Sequence, residues 1–137
     1  MNIECRKITK KEYLQLYESA EWFSPIQNDN FTNAIRCDVN KKISCVINYM
    51  VDTDILILGL TVWEKKNLSD ILGTIIKEIY EIHKKAILIY LINKIDERYL
   101  KNSYCEFVLK GTQKKHLKVD GVYYDLYVYI TVLNEGD

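Results

Sequence analysis

Seven apolar residues, Leu68, Ile71, Leu72, Ile75, Ile76, Ile79 and Ile82, recur three and four positions apart between two extended runs, TDILILGLTVW and AILIYLI. That spacing gathers them on one stripe of a helix running as far as HKK, and such a stripe must be buried against another layer. A strand, a crossover helix and a second strand leave the two strands parallel, because a tight turn joins only antiparallel neighbours. The chain is therefore expected to hold a β-α-β unit at its centre, with AILIYLI as a short buried strand.

Turn and cap signals divide the rest. Residues 2–8 form a candidate strand, and Thr9 with Glu12 makes a capping box that opens a helix at KKEYLQLYESAEW. Pro25 ends that segment. A second helix is expected from about Asn28 to Arg36, followed by antiparallel strands at KKISCVINYM and TDILILGLTVW, turning at Asp52-Thr53-Asp54. DERYLKNSY predicts a short helix capped by Asp96. The stretch CEFVLKGTQKKHLKVDGVYYDLYVYI predicts a closing hairpin that turns at Asp120-Gly121. In it Gly111 marks a bulge, and Asp125 an anchor for neighbouring backbone or a lysine. The order implies an α+β fold with a mixed, mostly antiparallel, twisted sheet flanked by helices.

Composition narrows the partners. A chain of 137 residues, 48% apolar, suits one domain spanning 1–137. Its 19 basic and 19 acidic side chains cancel, so no global field draws it to nucleic acid or to anionic membrane. No apolar run approaches the ~18 residues of a membrane span, and the first residues lack a signal-peptide core. The expectation is a cytoplasmic protein. Cys5, Cys37, Cys45 and Cys105 are scattered, without a CxxC pair, and read as reduced, buried thiols. His83 and His116 lie on separate segments, so no metal site is expected.

EFVLKGTQKKHLKVDGVYYDLYVY resembles the C-terminal end of the GNAT acyltransferase superfamily, in branches that acetylate polyamines, amino sugars or protein N-termini. Phe107, Gly111, Gly121, Tyr124 and Asp125 fall on that pattern. LYESAEWFSPIQNDNFTNAIRC, with Trp22, Pro25 and Ala34, is similar to the helix entry of other GNAT branches. The resemblance implies a GNAT-like sheet with a V-shaped opening between the strand ending near Trp63 and the one at Ile87 to Ile92. It also implies acetyl-CoA as acyl donor, a small-molecule amine or a protein N-terminus as acceptor, and a homodimer as the assembly.

The same resemblance assigns site residues. Thr61, Val62 and Trp63 would hold the donor's pantetheine arm, and Asn67, Ser69 and Gly73 its pyrophosphate at a helix N-terminus, where free amides and the dipole favour anions. Two departures stand out. Asn67 replaces a basic or amide residue, and Asp70 and Leu72 replace two glycines. Asn102 stands where many members carry the tyrosine that protonates the departing thiolate, which leaves Tyr99 and Tyr104 as the acid candidates. Glu64 is the candidate base, since an alkyl aminium of pKa ~10 must lose a proton before attack. Read without the resemblance, Ser69 and Asp70 are ordinary first-turn residues and Glu64 a solvated partner of a lysine. An acyl-CoA-dependent N-acyltransferase and a catalytically silent GNAT-like binding or regulatory module both stay open.

Overall fold

The computed structural model describes residues 2–16, 33–91, 97–119 and 121–133. Trp22, Pro25, the Asp96 cap, Asp120 and the far end of the first predicted helix lie outside them. The elements are β1 (Ile3–Lys7), α1 (Lys10–Leu16), β2 (Asn33–Val39), β3 (Lys42–Val51), β4 (Ile55–Val62), α2 (Leu68–His83), β5 (Ala86–Leu91), β6 (Cys105–Val119) and β7 (Val122–Leu133), with a 3-10 turn at Glu97–Tyr99. All seven strands join one sheet in the order β1-β2-β3-β4-β5-β7-β6. Among the described residues only β4 and β5 pair in parallel, as the crossover helix requires; the other pairings there are antiparallel. The fold is α+β with a mixed sheet. No helix among the described residues is long and apolar enough to cross a membrane.

The predicted stripe packs α2 onto the sheet. Leu68, Ile71, Leu72, Ile75, Ile76 and Ile79 are buried against the even-numbered side chains of β4, Leu56, Leu58, Leu60 and Val62, within one core cluster. Each such burial is worth roughly 1.5–3 kcal/mol before entropy is counted. The stripe stops short of its expected end: Ile82, in the last turn, is 72% exposed, while its neighbour His83 meets Tyr49 of β3 edge-on with ring centres 6.0 Å apart. The opposite face carries a smaller cluster of Ile8, Tyr13, Ala34 and Val46 under α1. The capping box forms as predicted. The Glu12 amide donates to Thr9 Oγ1 at 3.1 Å, and the Thr9 amide to Glu12 Oε1 at 3.3 Å.

Three expectations need correction. Asn33 to Arg36, placed in a helix, begin β2 instead, where β1 on one side and β3 on the other satisfy both backbone edges. Among the described residues of DERYLKNSY, Glu97–Tyr99 alone are helical, as a 3-10 turn. Asn102 Oδ1 accepts the amides of Tyr104 and Cys105, both at 2.9 Å, which turns the chain into β6 before a longer helix can form. The cysteines are not all buried. Cys37, Cys45 and Cys105 are buried, but Cys5 is exposed, and its Sγ lies 3.1 Å from that of Cys37. The hairpin expectations hold: the register shifts between Leu109 and Gly111, Gly121 has φ +81°, and Asp125 Oδ1 accepts the Lys115 amide at 2.9 Å.

Candidate functional site

The parallel pairing is short. β4 and β5 match from Ile55↔Ala86 to Leu58↔Ile89, and beyond that β4 continues through Gly59–Val62 with no β5 partner among the described residues. β5 stays with β7 as far as Leu91↔Tyr127. The two parallel strands thus part at their C-terminal ends, where the V-shaped opening was expected.

Hydrogen-bond phase determines which backbone groups face that opening. The Trp63 amide donates to the Ser44 carbonyl at 2.9 Å, continuing the register Cys45↔Val62 and Val46↔Thr61. Bonded pairs alternate along an antiparallel ladder, so Thr61 and Gly59 turn their N–H and C=O groups to β3. Leu60 and Val62 turn theirs to the opening. Of the three residues assigned to the donor, Val62 has this orientation. Thr61 does not: its backbone faces β3, and its buried hydroxyl pairs with the Tyr13 hydroxyl at 2.9 Å, which holds α1 to the sheet. Leu60, which sequence reasoning passed over, shares the orientation of Val62. The 3.6-residue and two-residue periods mark faces of elements, but they do not show where a ladder ends.

The next segment opens the N-terminus of α2. The Leu68 amide bonds the Lys65 carbonyl at 3.0 Å and the Ile71 amide the Asn67 carbonyl at 3.1 Å. The Asn67 side chain makes no cap. The amides of Ser69 and Asp70 are left as open donors among the described residues, at the positive end of the helix dipole. Asp70 itself puts an exposed carboxylate in that first turn.

Two cavities meet this segment. One, of about 520 Å³, is lined by Trp63, Glu64, Lys65, Lys66 and Tyr99. It brings the candidate base Glu64 and the candidate acid Tyr99 together from separate elements, with Lys65 Nζ 5.8 Å from the Tyr99 ring centre. Ser44 fixes the Glu64 backbone: its Oγ donates to the Glu64 carbonyl at 3.0 Å, and its carbonyl accepts the Glu64 amide at 3.1 Å. The Glu64 carboxylate, at the surface, accepts the Lys66 amide at 3.3 Å. Sequence reasoning missed Ser44: a turn of three residues at Asp52–Asp54 would set it opposite Val62, whereas the observed register, with Val51 opposite Leu56, sets it opposite Trp63.

The other cavity, of about 600 Å³, runs along α2 and is lined by Asp70, Gly73, Thr74, Lys77, Asn102, Ser103 and Tyr104. Tyr104 is therefore separated from Glu64, and its phenol is pushed up by burial, with Glu81 and Tyr80 adding to the effect. Gly73 has a packing duty: a Cβ there would lie 3.0 Å from Asn102 Cγ and Oδ1. Asn102, where a tyrosine acid would stand in the resemblance, is committed to the turn before β6.

No protein-family model matches the sequence, and no curated protein does. Solved structures match across nearly the whole chain. A variant of the spermidine N-acetyltransferase from Vibrio cholerae superposes with a TM-score of 0.66 at 9% identity, covering 96% of this chain and 93% of its own. The ribosomal-protein-S18-alanine N-acetyltransferase from Escherichia coli gives 0.63 at 10% identity, covering 96% and 94%. An acetyltransferase of the GNAT family from Streptococcus pneumoniae gives 0.55 at 14%, covering 97% and 100%. With its parted parallel strands and its crossover helix, this chain has the GNAT fold.

Proposed function

We propose that the protein is an acyl-CoA-dependent N-acyltransferase that moves an acetyl group to a primary amine. The observation that carries this reading is the second half of β4, whose outward backbone groups lie beside the uncapped N-terminus of α2. Unpaired N–H and C=O groups in a buried strand are costly unless something completes them. An acyl-CoA has the chemistry to do so, an amide-bearing arm for the strand and phosphates for the helix end. When bound, it would supply the thioester carbonyl that an amine attacks.

The chain's own residues divide the work. Leu60 and Val62 would hold the arm through their backbone, and Ser69 and Asp70 would offer amides to the phosphates, with Lys65 and Lys66 as neighbouring countercharges. Glu64 would take the proton from the incoming amine, its backbone held in place by Ser44. Tyr99, in the same cavity, would return a proton to the departing sulfur. Tyr104 and Gly73 would line the neighbouring cavity along α2. The named structural relatives act on spermidine and on a protein alanine, and the acceptor proposed here is a small-molecule amine or a protein N-terminus. One feature favours a silent binding module instead: the Asp70 carboxylate puts negative charge where an anion would sit.

Titration calorimetry and thermal melting with acetyl-CoA test the reading. At ~100 times the dissociation constant, the ligand should stabilise the fold by about 2.7 kcal/mol and raise Tm by several degrees. Asp70→Asn should bind more tightly at low ionic strength, with the gain shrinking as salt is added. No Tm shift at millimolar acetyl-CoA in either protein would leave the silent module as the function.

A further inference from the structure

β1, β2 and β3 bring three cysteines into one row. Cys5 is opposite Cys37, and Cys37 is opposite Cys45. The phase of the β1–β2 ladder follows from two bonds, Asn40 amide to Asn2 carbonyl at 2.8 Å and Ile8 amide to Ala34 carbonyl at 3.0 Å. They put hydrogen-bonded pairs at the even positions of β1 and make Cys5–Cys37 a non-hydrogen-bonded pair. Directly opposed residues there have Cα atoms ~4.5 Å apart, with side chains at their closest. That spacing lies within the ~4.4–6.8 Å that a disulfide spans. The thiols already touch at 3.1 Å, as free cysteines. On the other side of β2 the phase reverses, so Cys37 and Cys45 occupy a hydrogen-bonded position, beside the shift of register between Cys37 and Asp38. Access differs as well: Cys5 is exposed, whereas Cys37 and Cys45 are buried. Among the described residues no group of three or more His, Cys, Asp and Glu is arranged to hold a metal ion.

We propose that Cys5 and Cys37 are a thiol–disulfide modification site, closing into a cross-strand disulfide by exchange with a small-molecule disulfide such as glutathione disulfide. Cys5, the reachable thiol, loses its proton and attacks one sulfur of the oxidant, forming a mixed disulfide and releasing one glutathione thiolate. Cys37 then loses its proton and attacks the Cys5 sulfur, releasing the second. Two protein thiols are oxidised, one disulfide is reduced to two thiols, and the two protons end on the glutathiones. Since β1 is the edge strand of the sheet, the bond ties that edge to β2 and closes a loop through residues 6–36. The site stands independently of the acyltransferase reading.

The thiols' surroundings set the pace. Partial burial of its sulfur against Cys37 first, then the hydrogen bond to Cys37, pushes the Cys5 thiol up to about 12, with Glu78 from α2 and Asp38 from β2 adding negative charge. The contact with Cys45, then burial, raises Cys37, and Asp38 adds to it. Both thiols are held protonated at neutral pH, so exchange is slow there and accelerates as pH rises.

Incubation of the protein with millimolar glutathione disulfide between pH 7 and 9 tests this. Expected are an intact mass lower by about 2 Da, a peptide map joining the Cys5 and Cys37 peptides, a rate that grows with pH, and a Tm raised by about 10 °C. Dithiothreitol should reverse all of these. Cys5→Ser, at an exposed position, should abolish the mass loss, and Cys45→Ala should leave the Cys5–Cys37 linkage intact. A lasting glutathione adduct on Cys5, a Cys37–Cys45 linkage, a disulfide-linked dimer or an unchanged mass would each overturn the proposal, and wild-type mapping decides among them without any variant.

Discussion

Along β4, the first half, Ile55–Leu58, lies between β3 and β5, whereas the second half, Gly59–Val62, has β3 as its one strand partner among the described residues. Burial of the even-numbered side chains, those facing α2, does not distinguish them: Leu56, Leu58 and Val62 are fully buried and Leu60 is 1% exposed. What differs is backbone pairing, because β5 follows β7 instead of β4 beyond Ile89. A sheet can therefore open a site inside its core without exposing an apolar side chain, by ending one ladder early. The cost is a pair of backbone edges left for another partner to complete.

Amide hydrogen exchange should show the largest contrast between the halves. Thr61 and Gly59, bonded to β3, should exchange only through large-scale opening, on the order of 10³-fold or more slower than Leu60 and Val62. Saturating acetyl-CoA should slow Leu60 and Val62 and leave the other two unchanged. Equal protection at all four positions without ligand would remove the distinction and the opening with it.

Core truncation should give the next largest effect. Leu58→Ala removes a side chain whose backbone is pinned on both edges, so the cavity cannot collapse and the loss should approach ~5 kcal/mol. Leu60→Ala, with one edge unpinned, should relax further and cost nearer ~2 kcal/mol. Urea unfolding of both variants measures this, and equal losses would mean that the second half is held as rigidly as the first.

The first half of β4 and the crossover around it were legible in the sequence, because a helical stripe and two apolar runs are local patterns that burial merely confirms. The opening came from resemblance, since no periodicity announces where β5 leaves its neighbour. β2 was misread for a related reason. Asn33–Arg36 has no strong alternation, and its strand state depends on partners at both edges. The Cys5–Cys37–Cys45 row, like the Ser44 hold on Glu64, is a product of register, which joins residues far apart in the chain and appears only once the pairing is known. The acid and base candidates divided for the same cause: Glu64 and Tyr99 meet in one cavity, and Tyr104, close to Tyr99 in sequence, turns to the other.

The smallest effect should come from α1, which covers the second half of β4 from the other face through the Tyr13–Thr61 bond. The described part of this helix, Lys10–Leu16, opens on its cap and rests on its packing. The Thr9 amide, then Arg6 at 3.3 Å, holds the Glu12 carboxyl below its ordinary value. A carboxyl whose folded pKa is depressed favours the folded state above its unfolded pKa, ~4.3, and loses that contribution as pH falls through the lower folded value. Glu12→Gln retains an acceptor for the Thr9 amide and removes only the charge. At pH 7 the variant should unfold at slightly lower urea than the wild type, and the two midpoints should converge below about pH 4. Amide shifts caused by the substitution should gather in α1 and in Gly59–Val62, leaving Ile55–Leu58 unmoved. A midpoint gap that persists unchanged to pH 3 would place the effect in shape instead of charge, and shifts spread evenly along β4 would show that its two halves respond as one strand.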